Sequence, residues 1–328
     1  LSRILLQAGA EVTGYALKPP TEPDLFSILE LEKEMRSVEG DIRDQERLWK
    51  TIEETKPELV FHLAAQPIVR ESYKNPVYTY ETNVMGTVNI LEGIRRVESV
   101  KSFLNVTTDK VYKNNEWEWG YRETDELDGY DPYSNSKSCS ELVTHSYKSS
   151  FFDEKGIAVS TARAGNVIGG GDFATDRIIP DCVRAVAEGK KIAVRNPHST
   201  RPYQHVLEPL GAYLKIAQAQ YENRKKEGAY NVGPEDRDCI TTGQLADLFC
   251  DAWKEGAEWE NLYMGGPHEA NFLKLDCSRI RNVLGWKPHW EVKTAVEKTV
   301  EWYQAYLNGE NMSAFTDRQI REYEENGK

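Results

Sequence analysis

Tyr133 and Lys137 stand four residues apart in Tyr133-Ser134-Asn135-Ser136-Lys137, hence on one face of a helix. A cation so placed can lower a phenol's pKa and favour phenolate, a base. The spacing alone is weak, because Tyr221 and Lys225 repeat it in a highly charged stretch that reads as an exposed helix face. Tyr133 gains its context from Val106-Thr107-Thr108-Asp109-Lys110, at the carboxyl end of an apolar strand pattern, where side chains can enter the crevice of an open α/β sheet. Thr108 offers a hydroxyl to a substrate alcohol, while Asp109 and Lys110 add an acid and a base. The bland alternative is a capped turn with a solvated lysine.

Holding these residues requires strands and helices in alternation, and the first half of the chain supplies them. Leu1, Ile4, Leu5 and Ala8 share a helical face stopped at Gly9, and Val12-Thr13-Gly14-Tyr15 is extended. Asp44 can cap a helix through Glu54, residues 59–63 read as a buried strand, and 75–96 read as one helix with Val84, Val88 and Leu91 inward. A strand at 103–106, a loop with several aromatics at 112–130, a helix from about Pro132 and a strand at 157–160 follow. The alternation predicts an α/β fold with a doubly wound parallel sheet. After Ala164-Gly165-Asn166 the pattern shortens, with helices at 207–225 and 292–307, and predicts a smaller, discontinuous substrate-binding region over the strand ends. The charged stretch 317–328 reads as a solvated helix or tail.

Lys and Arg number 41 against 53 Asp and Glu, a net charge of −12 that argues against a nucleic-acid partner. The five cysteines, Cys139, Cys182, Cys239, Cys250 and Cys277, never fall in C-x-x-C spacing, so they read as reduced thiols of a cytoplasmic protein. The six histidines show no ligand spacing that calls for a metal, and His62 and His205 read as structural. No apolar run is long enough for a membrane helix.

Thr108, Tyr133 and Lys137 resemble the Ser/Thr-Tyr-Lys triad of the extended short-chain dehydrogenases/reductases, a resemblance that covers essentially the whole chain. Within that superfamily, His62-Leu63-Ala64-Ala65-Gln66-Pro67, Asn83-Val84-Met85-Gly86-Thr87, Arg163-Ala164-Gly165-Asn166 and Arg201-Pro202-Tyr203-Gln204-His205-Val206 resemble the nucleotide-sugar 4,6-dehydratases. Lys110, where the dTDP-glucose branch carries glutamate, and the loop Glu116-Trp117-Glu118-Trp119-Gly120-Tyr121-Arg122-Glu123 resemble the branch acting on CDP-glucose. The resemblance implies a Rossmann-type fold, NAD as cofactor and CDP-glucose as the nucleotide-sugar substrate. Tyr133 would remove the proton of the sugar 4-hydroxyl, Lys110 the C5 proton, and Asp109 would protonate the departing 6-hydroxyl. A neutral amine can do this at Lys110 if its surroundings depress its pKa.

For NAD the resemblance implies contacts from Asp41 and Ile42 at the adenine, from Ala64, Ala65 and Gln66 along the cofactor, from Asn83 and Thr107, and from Tyr133 and Lys137 at the nicotinamide ribose. Asn166, Arg195 and Arg201 would hold the sugar diphosphate, because guanidinium forks match phosphate oxygens. The alternative for each arginine is pairing with a local carboxylate. Residues 15–18, Tyr-Ala-Leu-Lys, lack the acid expected for a ribose diol, so NAD over NADP rests on the resemblance alone.

The G-x-x-G-x-x-G turn of the superfamily is absent because the chain begins inside the helix that should follow it, and the expectation is an N-terminally incomplete record of a longer protein. The expected domains are 1–165 plus about 198–232 for NAD, and about 166–197 plus 233–328 for the nucleotide sugar. Helices 75–96 and 132–152 are the pair expected to form a homodimer. Rival readings are a nucleotide-sugar epimerase, a dehydratase for a dTDP, GDP or UDP sugar, and a non-catalytic NAD-fold binding protein.

Overall fold

A computed structural model describes residues 1–262 and 272–327. Strands β1 (Thr13–Ala16) and β2 (Arg36–Glu39) pair in parallel with each other. A separate parallel sheet holds β3 (Leu59–His62), β4 (Ser102–Val106), β5 (Ala158–Ala164) and β6 (Gly228–Val232) in the order β6-β5-β4-β3. Alternation along β4 feeds two cores. Phe103 packs with Ile52, Leu91, Ile94 and Val159 under helices Gln45–Thr55 and Gly86–Arg95, and Leu104 packs with Ala162, Tyr213, Ile216 and Ile280 under Leu207–Glu222 and Ser278–Leu284. Helices on both faces of parallel strands make the sheet doubly wound, as expected.

Local chemistry explains the helix starts. Asp44 accepts from the Arg47 amide at 3.1 Å, and Asp131 accepts from Ser134 at 3.0 Å with Pro132 at the first helical position. The latter cap starts helix Pro132–Tyr147, which carries Tyr133 in its first turn and Lys137 one turn on.

Several expected elements differ. The single helix over 75–96 is instead Pro76–Tyr80, a π turn at Glu81–Met85, and Gly86–Arg95. Asn83 in that turn bonds Gln66 and Ser136, and a Cβ on Gly86 would lie 2.6 Å from Ile42 Cγ2, so the distortion lets both neighbours approach. Strand β3 is not buried throughout: it ends its sheet, and Leu59 and Leu63 are exposed while His62 is buried. The helix from 207 stops at Glu222, ahead of a 3₁₀ turn at Arg224–Lys226 that Asn223 caps. The C-terminal stretch is no solvated tail. Helix Met312–Asn326 buries Met312, Phe315, Ile320 and Tyr323, and Tyr323 donates to buried Glu208 at 2.8 Å.

Over the strand ends lie short pairs, Ile192–Val194 with Trp259–Asn261, Thr200–Pro202 with Cys239–Thr241, and Val167–Ile168 with Gln204–His205. Their core gathers Ile179, Cys182, Leu245, Phe249, Val296 and Trp302. Among the described residues no helix is long and apolar enough to cross a membrane, and no cluster of His, Cys, Asp and Glu could hold a metal.

Candidate active site

A cleft of about 870 Å³ opens at the carboxyl ends of β4 and β5. Thr107, Thr108, Asp109, Lys110, Tyr133, Asn166, Arg195 and Arg201 all line it, although they come from five separate stretches of sequence. Open parallel sheets place ligands at this end.

Asp109 is the most buried of the charged residues that line the cleft, 1% exposed. Oδ1 accepts from Thr108 Oγ1 at 3.0 Å, whereas Oδ2 is buried with no hydrogen-bond partner. Burial raises this carboxyl above the ordinary aspartate range, against the pull of Lys110, the Thr108 bond and Arg201. A carboxyl whose neutral form is favoured by burial is suited to giving up a proton to a leaving hydroxyl.

Tyr133 bonds Thr108 through its side chain, and burial pushes its phenol up to about 12. Thr108 and Arg177 pull it down, while Asp109 and Asp131 push it further up. The cation whose charge acts to lower the phenol here is Arg177. Lys137 is buried and donates to the Val106 carbonyl at 3.2 Å, and burial brings its ammonium down to about 8. Among the described residues its other two donors have no acceptor, which fits a polyhydroxyl ligand on that side.

The arginines divide. Arg201 is 5% exposed and close enough to Asp109 to stabilise its charge. Arg195 is half exposed and pairs with a local carboxylate, its Nη1 meeting Asp176 Oδ1 at 2.6 Å. Asp176, held at φ 61°, also faces Arg70 at 3.8 Å, so a carboxylate joins two cleft arginines. Asn166 also has a left-handed backbone, φ 44°, and its carbonyl accepts from the Gln204 amide at 3.2 Å. Asparagine adopts this conformation more readily than most other non-glycine residues.

Residues expected at NAD lie along the ends of β2, β3 and β4. Asp41 is chelated by Arg43 at 2.7 Å, and Ile42 is buried in the core. Ala64 and Ala65 are half-buried with little side-chain bulk, so backbone is open to close approach. Gln66 and Asn83 are turned to each other, the Gln66 amide donating to Asn83 Oδ1 at 2.8 Å, and shape the turn after β3. The Thr107 hydroxyl is taken by Glu141 at 2.5 Å. The small residues and Lys137 thus fit a dinucleotide along this edge; Gln66, Asn83 and Thr107 spend their side chains on the fold.

His62 and His205 are buried and held down to about 3 by burial, so neither is a proton carrier at neutral pH. Sequence reasoning missed Arg70, Arg177 and Asp176 in the cleft and Glu141 beneath it. Glycine spacing and helical periodicity carry no mark of them.

A family model described as GDP-mannose 4,6 dehydratase matches residues 1–299. The chain is 47% identical, over 98% of its length and 92% of the relative's, to a CDP-glucose 4,6-dehydratase of Salmonella typhimurium. It is 26% identical to a dTDP-glucose 4,6-dehydratase of Shigella flexneri over 82% of this chain and 78% of that one. Among solved structures, the UDP-glucose 4-epimerase of Thermus thermophilus in complex with NAD matches with a TM-score of 0.80 at 23% identity, covering 92% of this chain and 95% of that one. That likeness is one of fold, the Rossmann-type α/β fold. The chain belongs to the GDP-mannose 4,6 dehydratase family.

Proposed function

We propose that this chain is an NAD-dependent 4,6-dehydratase that converts CDP-D-glucose to CDP-4-keto-6-deoxy-D-glucose and water. The observation that carries the reading is the buried Asp109 carboxyl, raised in pKa with one oxygen unpartnered, on the same cleft wall as Thr108, Lys110 and Tyr133. An epimerase needs the phenol and the threonine; elimination of water also needs a proton donor and a base at a second carbon.

NAD, when bound, would supply the hydride chemistry that the sugar's oxidation and reduction need. Lys137, Ala64 and Ala65 would hold it, with Asp41 at the adenine end. Tyr133, oriented by Thr108, takes the proton from the 4-hydroxyl. Lys110 takes the C5 proton, made acidic by the 4-ketone, and later returns one to C5. Asp109 gives its proton to the 6-hydroxyl, which leaves as water, and the proton held by Tyr133 balances that loss. Arg195 and Arg201 hold the diphosphate, with Asn166 beside them.

The likeness to the Salmonella relative and the lysine at position 110 support cytidine as the base. Exposed Val77, Met85 and Leu142 on helices Pro76–Tyr80 and Pro132–Tyr147 and on the π turn support a homodimer formed through that face. The five free cysteines suit a reducing, cytoplasmic setting.

The role of Lys110 is tested by running the Lys110→Ala variant on CDP-glucose and NAD in deuterium oxide. The reduced cofactor should accumulate while deuterium uptake at C5 and water loss become slow. Native turnover in this variant would overturn the assignment.

A further inference from the structure

Beneath the cleft lies a charge pair that the chemistry above does not use. Glu141 follows Tyr133 and Lys137 at the same four-residue spacing on helix Pro132–Tyr147, and both it and Arg163 of β5 have side chains 4% exposed. Glu141 Oε1 accepts from Thr107 Oγ1 at 2.5 Å and Arg163 Nε at 2.9 Å, and Oε2 accepts from Thr161 Oγ1 at 2.7 Å and Arg163 Nη2 at 3.0 Å. Arg163 Nη1 donates on to the Tyr112 hydroxyl at 2.8 Å, which donates to Asn231 Oδ1 of β6 at 2.6 Å. One carboxylate thus joins the helix of Tyr133 and Lys137 to the ends of β4 and β5.

A buried ion pair is a poor source of stability, since well-packed apolar side chains of similar volume do as well or better. What an apolar pair cannot supply is direction. Thr107 immediately precedes Thr108, Asp109 and Lys110, so the bond to Glu141 fixes the strand end from which all three project. The same carboxylate puts a negative charge one helical turn from Lys137 and acts to raise its ammonium pKa against burial.

We propose that Glu141, paired with Arg163, is a positioning residue for the reaction, holding the Thr108, Asp109 and Lys110 strand end in register with Tyr133 and Lys137. The proposal rests on the dehydratase reading for its substrate and not for its geometry. The groups recorded against Lys137 and Glu141 are His62 of β3, Arg163 of β5 and Tyr112, with Thr107 and Thr161 as neutral hydrogen-bond donors to the carboxylate. His62 is held neutral by burial and adds no positive charge there, and the charge acting to raise the Lys137 ammonium is that of Glu141.

The full chain carrying Glu141→Gln tests this by two readouts. With CDP-glucose and NAD, kcat should fall about tenfold or more while KM changes little. In ligand-free protein, NMR of isotope-labelled lysine should show Lys137 titrating at lower pH than in the native chain. A double variant, Glu141→Leu with Arg163→Met, is expected to fold and to show the same loss, and it decides the matter if the single variant does not fold. Native kcat together with unmoved Lys137 titration, in whichever variant folds, would overturn the proposal and leave Glu141 a structural residue only. If the native chain instead turns over another nucleotide sugar, the dehydratase reading fails, and the same comparison is made on that reaction and on the NMR titration.

Discussion

Gly165 lies directly against the Asp109 carboxylate: a Cβ at position 165 would stand 1.9 Å from Oδ2 and 2.2 Å from Cγ. The acid of the site is therefore seated on a missing side chain. Gly165 does not have the left-handed backbone that alanine would resist, so Gly165→Ala acts through displacement of Asp109. Turnover should fall about a hundredfold, as expected for losing a general acid, while C4 oxidation persists. Accumulation of reduced cofactor, followed by its near-ultraviolet absorbance, checks it.

Tyr133→Phe should behave in the opposite way. With no phenol to take the 4-hydroxyl proton, oxidation itself drops by about a hundredfold or more and no reduced cofactor appears. The same absorbance measurement separates the two variants.

Lys137 links pH to stability. Its folded pKa, about 8, lies below the usual 10.5, so between these values the unfolded chain binds more protons and stability rises with pH. Below about pH 8 the buried ammonium exerts its full cost, about 3 kcal/mol by the size of the shift. Lys137→Met should remove that rise while abolishing activity. Urea unfolding of both proteins at neutral and alkaline pH measures the difference, and a native chain with no excess rise would contradict the assignment.

Asp176 competes with any anion for Arg195. Asp176→Asn removes that carboxylate and should lower the KM for the nucleotide sugar by up to about fivefold, the worth of an exposed pair, with the gain shrinking at high salt. Initial rates at two ionic strengths suffice.

Much of this was legible in the sequence. The strand and helix alternation pointed to the parallel sheet, and Thr108, Asp109, Lys110 and Tyr133 meet in one cleft. The Glu141 network escaped because its partners, Thr107, Thr161 and Arg163, come from other elements and a glutamate within a helix reads as a solvated face. The helix at 312–326 was misread for another reason: its buried residues 312, 315, 319, 320 and 323 keep helical spacing, but intervening charges dominate the local composition. For Arg195 the sequence left open a diphosphate contact or a carboxylate partner, because it does not show that Asp176, nineteen residues earlier, reaches it.

The central claim is elimination of water from CDP-glucose. Incubating the protein with NAD and, separately, the CDP-, dTDP-, UDP- and GDP-linked glucoses, and weighing the products by mass spectrometry, tests it most directly. Loss of one water from CDP-glucose, with little change in the other three, is the predicted result. Products of unchanged mass with altered C4 configuration would contradict it and make the chain an epimerase.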